Sequence, residues 1–276
     1  MVQPYTKDRP GPLPPAMTGL TLHWIDDDTP LPPTALALGP QSDAPGLLAA
    51  GGRVTVARLE EAYRLGVFPW FSPGQPALWW TPDPRMVLPV AEFRLSASMR
   101  KTLRRFARTP GCELRVDSAF EQVMTACAAT ARPGQSGTWI VPELIEAYVR
   151  WHHLGRVHSF ETWIDGELTG GLYGVSIGRM FFGESMFSHR TDASKIALAA
   201  LVCFCREQGV AMIDCQQRTG HLASLGGREL PRTEFEQRLT RGLGEPPIDE
   251  WTYDPSLWRH LGIVVEGADA EQDTGP

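Results

Sequence analysis

Three β-patterned runs joined by tight turns, followed at once by a long apolar helix, occupy residues 157 to 207 and constrain the fold more than any other stretch. Val157 to Ile164 leads into a D-G-E turn at 165 to 167, Leu168 to Val175 into a second turn over Ser176 to Arg179, and Met180 to Met186 closes the set. Turns this short join antiparallel neighbours, so the runs predict a meander. Ala193 to Glu207 is strongly apolar and predicts a buried helix. Ala211 to Gln216 then reads as a short strand and Thr233 to Leu239 as a further helix, while upstream Pro142 to Leu154 predicts a helix with Pro at its start and Gly155 beyond its end. Strand pairs, a helix, a strand and a helix in that order fit an acyltransferase-type α/β arrangement better than a doubly wound sheet, which alternates strand and helix throughout.

The rest of the chain divides by composition. Ten of the 24 prolines fall within residues 1–46, which predicts an extended arm over 1–45 in place of a regular core element. Thr55 to Leu65 has an N-cap, helical apolar spacing and Gly66 as a stop. Val67 to Pro84 is aromatic and turn-rich, and its S/T-P and P-G steps predict a rigid folded loop. Its aromatics read either as hydrophobic plugs or, for one Trp, as a face turned to a cleft. Arg94 to Arg108 carries six cations and no carboxylate; helical spacing puts Arg100, Arg104 and Arg108 on one face with Lys101 and Arg105 beside them. Such a run is commonly a solvated face, but in an acidic chain it is also a candidate phosphate-binding patch. Residues 266–276 read as a polar tail.

Charge and cysteine usage exclude several function classes. The formal net charge of −6 argues against indiscriminate coating of nucleic acid. Five cysteines without C-x-x-C spacing read as reduced thiols, with no zinc knuckle. Charge or proline interrupts each apolar run before the roughly 18 residues a membrane span needs, so a cytoplasmic location is expected. No P-loop, dinucleotide fingerprint or H-E-x-x-H is present, and the adjacent His152 and His153 point to different sides of a helix. Two short patterns remain as candidate chemistry: G-E-S-M-F-S at 183 to 188 and I-D-C-Q at 213 to 216. Strand periodicity puts Glu184 with Met186, and Asp214 with Gln216. The plainer reading has Asp214 capping a turn and Gln216 satisfying a backbone group.

These patterns belong to a larger set. F-P-W-F-S-P-G (68 to 74), W-W-T-P-D-P-R (79 to 85), G-T-W-I (137 to 140), G-G-L-Y-G-V (170 to 175), G-E-S-M-F-S, A-S-K-x-A-L (193 to 198), I-D-C-Q and H-L-A-S-L-G (221 to 226) occur in that order from about Gly46 to Phe235. Together they resemble the leucyl/phenylalanyl-tRNA protein transferase family. The resemblance implies an α+β chain: a small N-terminal domain (46–135) with the basic stretch, then a GNAT-like acyltransferase domain (136–265) with a mainly antiparallel sheet flanked by helices. It implies an enzyme of the bacterial N-degron pathway that moves Leu or Phe, with Met as a further candidate donor, from aminoacyl-tRNA to the α-amine of proteins beginning with Arg or Lys. No metal or coenzyme is implied, and a monomer is expected.

The resemblance also assigns roles. Asp214 and Gln216 match the family's catalytic pair, with Asp214 holding the amine or Gln216, and Gln216 beside the ester carbonyl. Leu172, Phe181, Met186, Leu198 and Ile213 match the lining of the donor side-chain pocket, where Met186 supplies shape tolerance. Trp70 matches the residue that stacks on the terminal adenosine, Trp139 borders the same cleft, and Glu184 matches a polar contact to donor amine or adenosine. Leu172 and Thr219 depart from residues found in relatives, Met and Asn respectively. Arg100, Lys101, Arg104, Arg105 and Arg108 supply the expected tRNA backbone contact. A CoA-dependent N-acetyltransferase on the same fold would need a glycine-rich loop before its helix, and His189 to Lys195 has none. A non-enzymatic RNA-binding adaptor would tolerate Asp214→Ala.

Overall fold

The computed structural model describes residues 22–130 and 138–265. Residues 1–21, with five of the arm's ten prolines, the junction at 135/136 and the polar tail 266–276 lie outside the described residues. The elements run β1 (His23–Ile25), β2 (Leu47–Gly51), α1 (Val56–Arg64), β3 (Phe68–Pro69), β4 (Leu78–Trp80), β5 (Arg85–Pro89), α2 (Ala97–Phe106), β6 (Cys112–Val116), α3 (Phe120–Ala129) and α4 (Pro142–His153). They continue with β7 (Val157–Ile164), β8 (Glu167–Ile177), β9 (Met180–Ser188), α5 (Ala193–Glu207), β10 (Met212–Asp214), α6 (Gly220–Ser224), β11 (Arg228–Leu230) and α7 (Arg232–Leu243). A 3-10 segment, Pro255–Leu261, follows.

Two sheets result. A four-stranded sheet has the order β1-β2-β4-β3, and a seven-stranded sheet the order β11-β5-β10-β9-β8-β7-β6. The predicted meander is the β7-β8-β9 portion of the larger sheet, antiparallel throughout. Every pairing in that sheet is antiparallel except β10 with β9. The fold is therefore mixed α+β, with a small N-terminal sheet and a larger sheet covered by helices. β5 and β6 pair within the larger sheet although the sequence placed them with the N-terminal domain, so the sheets divide the chain near residue 82.

Each face of the large sheet carries its own core. On one, α5, α2 and the 3-10 segment pack with Leu88, Phe160, Leu172, Phe181 and Ile213. α5 buries eleven residues and so needs no polar stripe. Each fully buried Leu, Val or Phe contributes about 1.5–3 kcal/mol. Gly170 lets this helix approach, since a Cβ there would lie 2.5 Å from the Ala193 Cβ. On the other face α1, α3, α4 and α7 join the small sheet around Tyr63, Tyr148, Trp151 and Phe182. Arg58, 6% exposed, ties in the preceding segment by donating to the carbonyls of Asp26, Asp27 and Thr29 and to Glu61.

The structure departs from the sequence reading in four places here; the first is the Pro-rich arm, whose β1 pairs in parallel with β2 and whose Ile25 and Leu31 are buried in the core. Val67 to Pro84 is not wholly loop: β3 and β4 pair through Phe68 with Trp80 and Pro69 with Trp79, and join β2. The basic helix stops at Phe106, leaving Arg108 in the following turn. β2, β5, β6, α3, α6 and β11 were not anticipated. Among the described residues no helix is long and apolar enough to cross a membrane.

Candidate functional site

β10 lies between β5 and β9, with Asp214 at its last position. The Asp214 carboxylate is 0% exposed and accepts from Arg85 Nε at 2.8 Å and Nη2 at 2.6 Å. Arg85, 1% exposed, packs its guanidinium over the rings of Phe68 and Phe235 at 4.9 and 4.6 Å. The fork geometry and surrounding rings compensate part of the desolvation cost of burying two charges. Sequence reading quoted Arg85 within a motif but gave it no task; its only signal was a cation amid an aromatic run.

The strand ends before Gln216, so Asp214 and Gln216 do not share a strand face as expected. Gln216 has φ +56°, a left-handed conformation that a non-glycine residue adopts only when its surroundings enforce it. Its N–H donates to Asp214 Oδ1 at 3.0 Å and its carbonyl accepts from the Met86 N–H at 3.2 Å. This turns its side chain across the site, where Nε2 donates to Glu184 Oε1 at 3.3 Å. Asp214 thus acts on Gln216 through the backbone.

Glu184 also departs from periodicity. In the β8–β9 ladder Gly174 pairs with Gly183 and Tyr173 with Ser185, which leaves Glu184 as the extra residue of a β-bulge. The bulge resets the alternation: Met186 pairs with Leu172 and packs into the α5 core, whereas Glu184 turns to the tyrosines of the opposite core. Glu184 and Met186 therefore do not project together. The Tyr63 and Tyr148 hydroxyls lie 2.6 Å apart, one donating to the other, and both face the Glu184 carboxyl. Burial pushes that carboxyl up to about 8, opposed by the Tyr63 hydrogen bond and reinforced by the Asp214 charge. Sequence reading missed both tyrosines, which come from α1 and α4.

Leu172, Phe181, Leu198 and Ile213 are all buried in the α5-side core, with Met186 partly buried against it. Phe181 is directly opposite Ile213, and Leu172 opposite Met186. Trp251, not singled out from sequence, lies 6.2 Å from the Phe181 ring and 4.9 Å from Phe204. Trp70 and Trp139 instead border the other core, each partly exposed. Trp80 fixes the backbone of Trp70 through an Nε1 bond of 2.7 Å to its carbonyl, and the two indoles meet edge to face at 5.6 Å. Thr219 is exposed and caps α6, accepting from the Leu222 N–H at 3.1 Å.

The basic segment is split in use. α2 buries Met99, Leu103 and Phe106 and leaves Lys101, Arg104, Arg105 and, beyond its end, Arg108 exposed. Arg100 is half-buried and donates to the Leu261 carbonyl at 3.0 Å, so it is occupied within the fold. A G-x-S-x-G pattern spans Gly174 to Gly178, but its Ser176 lies within β8, 5% exposed, and not on a strand-to-helix elbow, so no nucleophile elbow is present there.

Comparison with known proteins adds a family. Residues 87–240 match the profile of leucyl/phenylalanyl-tRNA protein transferase, and residues 52–83 that of its N-terminal domain. The chain is 63% identical to the leucyl/phenylalanyl-tRNA–protein transferase of Leptothrix cholodnii over 244 residues, covering 87% of this chain and 95% of that one. Its identity to the protein of the same name from Methylibium petroleiphilum is 61% over 92% of both chains. The Ralstonia pickettii protein of that name is 57% identical, over 90% of this chain and 100% of its own. With the motif order, the buried Arg85–Asp214 pair behind Gln216 and these relatives taken together, the chain belongs to the leucyl/phenylalanyl-tRNA protein transferase family.

Proposed function

We propose that this protein transfers Leu or Phe from aminoacyl-tRNA to the α-amine of proteins beginning with Arg or Lys, forming a peptide bond, and acts in the cytoplasm within a protein-degradation pathway. The observation that carries the reading is the approach of Gln216 to Glu184, 3.3 Å apart, where β10 ends and β9 runs on with Met186 turned into an apolar core. A parallel pair at that point in an otherwise antiparallel sheet supports a GNAT-like acyltransferase arrangement.

An aminoacyl ester is already activated, so the protein's share is positioning, amine deprotonation and stabilisation of the tetrahedral oxyanion. The donor side chain enters the core lined by Leu172, Phe181, Met186, Leu198 and Ile213, whose unbranched Met186 adapts to an aliphatic or an aromatic guest. Trp70 stacks on the terminal adenosine with Trp139 beside it. Gln216 orients the reacting groups, and Asp214, sealed behind Arg85, fixes Gln216. Lys101, Arg104, Arg105 and Arg108 face the tRNA backbone, which supplies sequence-tolerant, salt-sensitive binding.

A CoA-dependent acetyltransferase is the lesser reading. At the start of α5, Ser194 N–H already donates to Ser188 Oγ at 3.3 Å and Lys195 bonds Asp192 at 2.7 Å, with no glycine in the turn. The deciding assay incubates the protein with labelled Leu-tRNA and a peptide starting with Arg, beside one starting with Met. Transfer to the Arg peptide alone is expected; no transfer while the ester survives sinks the reading.

A further inference from the structure

Asp214 and Gln216 leave the reaction short of a base. Both Asp214 oxygens are engaged by Arg85, one also by the Gln216 N–H, and the group is 0% exposed. An amide side chain is a very weak base. One other carboxyl stands at the same point: Glu184, partly exposed, lifted from the ladder by its bulge. The groups facing it are Tyr63 from α1, Tyr148 from α4, Asp214 and Gln216 from β10 and the turn after it, and Arg85 from β5.

We propose that Glu184 is the proton acceptor of the transfer step, its carboxyl held by the Tyr63–Tyr148 hydroxyl pair and aimed by Gln216. This rests on the aminoacyl-transfer reading above. The acceptor amine enters neutral, having lost one proton to solvent. Its nitrogen attacks the ester carbonyl carbon, and as the C–N bond forms a second N–H proton passes to the Glu184 carboxylate. Collapse of the tetrahedral intermediate breaks the C–O bond, and the ribose oxygen departs with that proton. The carboxylate is restored, and the products are the new peptide bond and deacylated tRNA.

The environment suits the task. Burial and the Asp214 charge bring the Glu184 carboxyl to about 8, while the tyrosine hydrogen bonds and Arg85 restrain the rise. A free α-amine titrates at about 7.7–8.0, so near pH 8 a large share of it enters neutral, and a carboxylate of raised proton affinity can take the second N–H proton as attack makes the nitrogen cationic. The two hydroxyls are 2.6 Å apart, so one can donate to the carboxylate while accepting from the other.

The test measures kcat/KM for an Arg-initiated peptide, with Leu-tRNA as donor, from pH 6 to 9 for wild type, Glu184→Gln and Tyr148→Phe. Glu184→Gln is expected to fall by about 100-fold or more at pH 8, and its log rate–pH slope below pH 7.5 to be one unit shallower than wild type. Tyr148→Phe, deprived of a donor to the carboxylate, keeps the steeper slope and moves its inflection to higher pH. A Glu184→Gln rate within threefold of wild type, or an unchanged slope, overturns the proposal while leaving transfer itself intact. If Glu184→Gln does not fold, the Tyr148→Phe arm decides, and an unmoved inflection overturns it. Absence of transfer by wild type instead removes the underlying reading.

Discussion

Asp214 shows why a single residue type cannot be interpreted from sequence spacing alone. A strand carboxylate reads as a group facing substrate, yet Arg85, 129 residues earlier, closes over it. Asp214→Ala leaves the buried Arg85 cation unpaired and should cost about 3–5 kcal/mol in urea unfolding, whereas Arg85→Met with Asp214→Leu recovers much of that loss. Glu184 makes an opposite prediction for stability. Its folded carboxyl titrates at about 8 against an ordinary 4.5, so folding favours the protonated form. The group's full contribution is present below pH 4.5 and is lost as pH rises to about 8. Glu184→Gln should therefore match wild type near pH 4 and exceed it in stability at pH 8 by roughly a few kcal/mol in chemical denaturation. Trp70→Ala is expected to cost about 1–3 kcal/mol of stacking, read as a raised KM for aminoacyl-tRNA with kcat less affected.

Elements with their own local signals were legible, and those held from afar were not. α4 has Pro at its start, and α1 has Thr55 accepting from the Arg58 N–H at 3.2 Å; both were found. α3 was missed because its entry is secured at a distance: Glu161 on β7 accepts from the Ala119 N–H at 2.8 Å and from the Ser118 hydroxyl. The β-bulge was equally invisible, since one inserted residue changes no composition yet reverses which side chains face each core. Gly174 beside it has no room for a side chain, as a Cβ would lie 2.3 Å from the Phe182 carbonyl oxygen. Gly174→Ala should lower stability by about 1–3 kcal/mol in thermal unfolding and, by shifting the bulge, reduce transfer as well.

At the scale of the whole molecule, the −6 net charge coexists with an exposed group of cations on one helix. Replacing Lys101, Arg104 and Arg105 by Gln should weaken tRNA binding and flatten the plot of log affinity against log salt by up to about 0.7–0.9 per lost phosphate contact. Arg100→Gln should leave that slope nearly unchanged and act on stability, because its guanidinium is spent on Leu261. Titration of binding between low and moderate salt distinguishes the two.

By itself the sequence determined the meander, the buried α5, the basic helix and the ordered motifs of a family, because periodicity, caps and turn residues act over a few positions. The apolar residues named from sequence as donor-pocket candidates meet in one core. Only the tertiary structure decided that Arg85 neutralises Asp214, that Tyr63 and Tyr148 hold Glu184, and that Glu184 and Met186 face opposite ways. Those depend on β5, α1 and α4 converging on the end of β10 and on a one-residue bulge. Charge pairing and burial at that meeting point are properties of distance in space, and spacing along the chain carries no record of them.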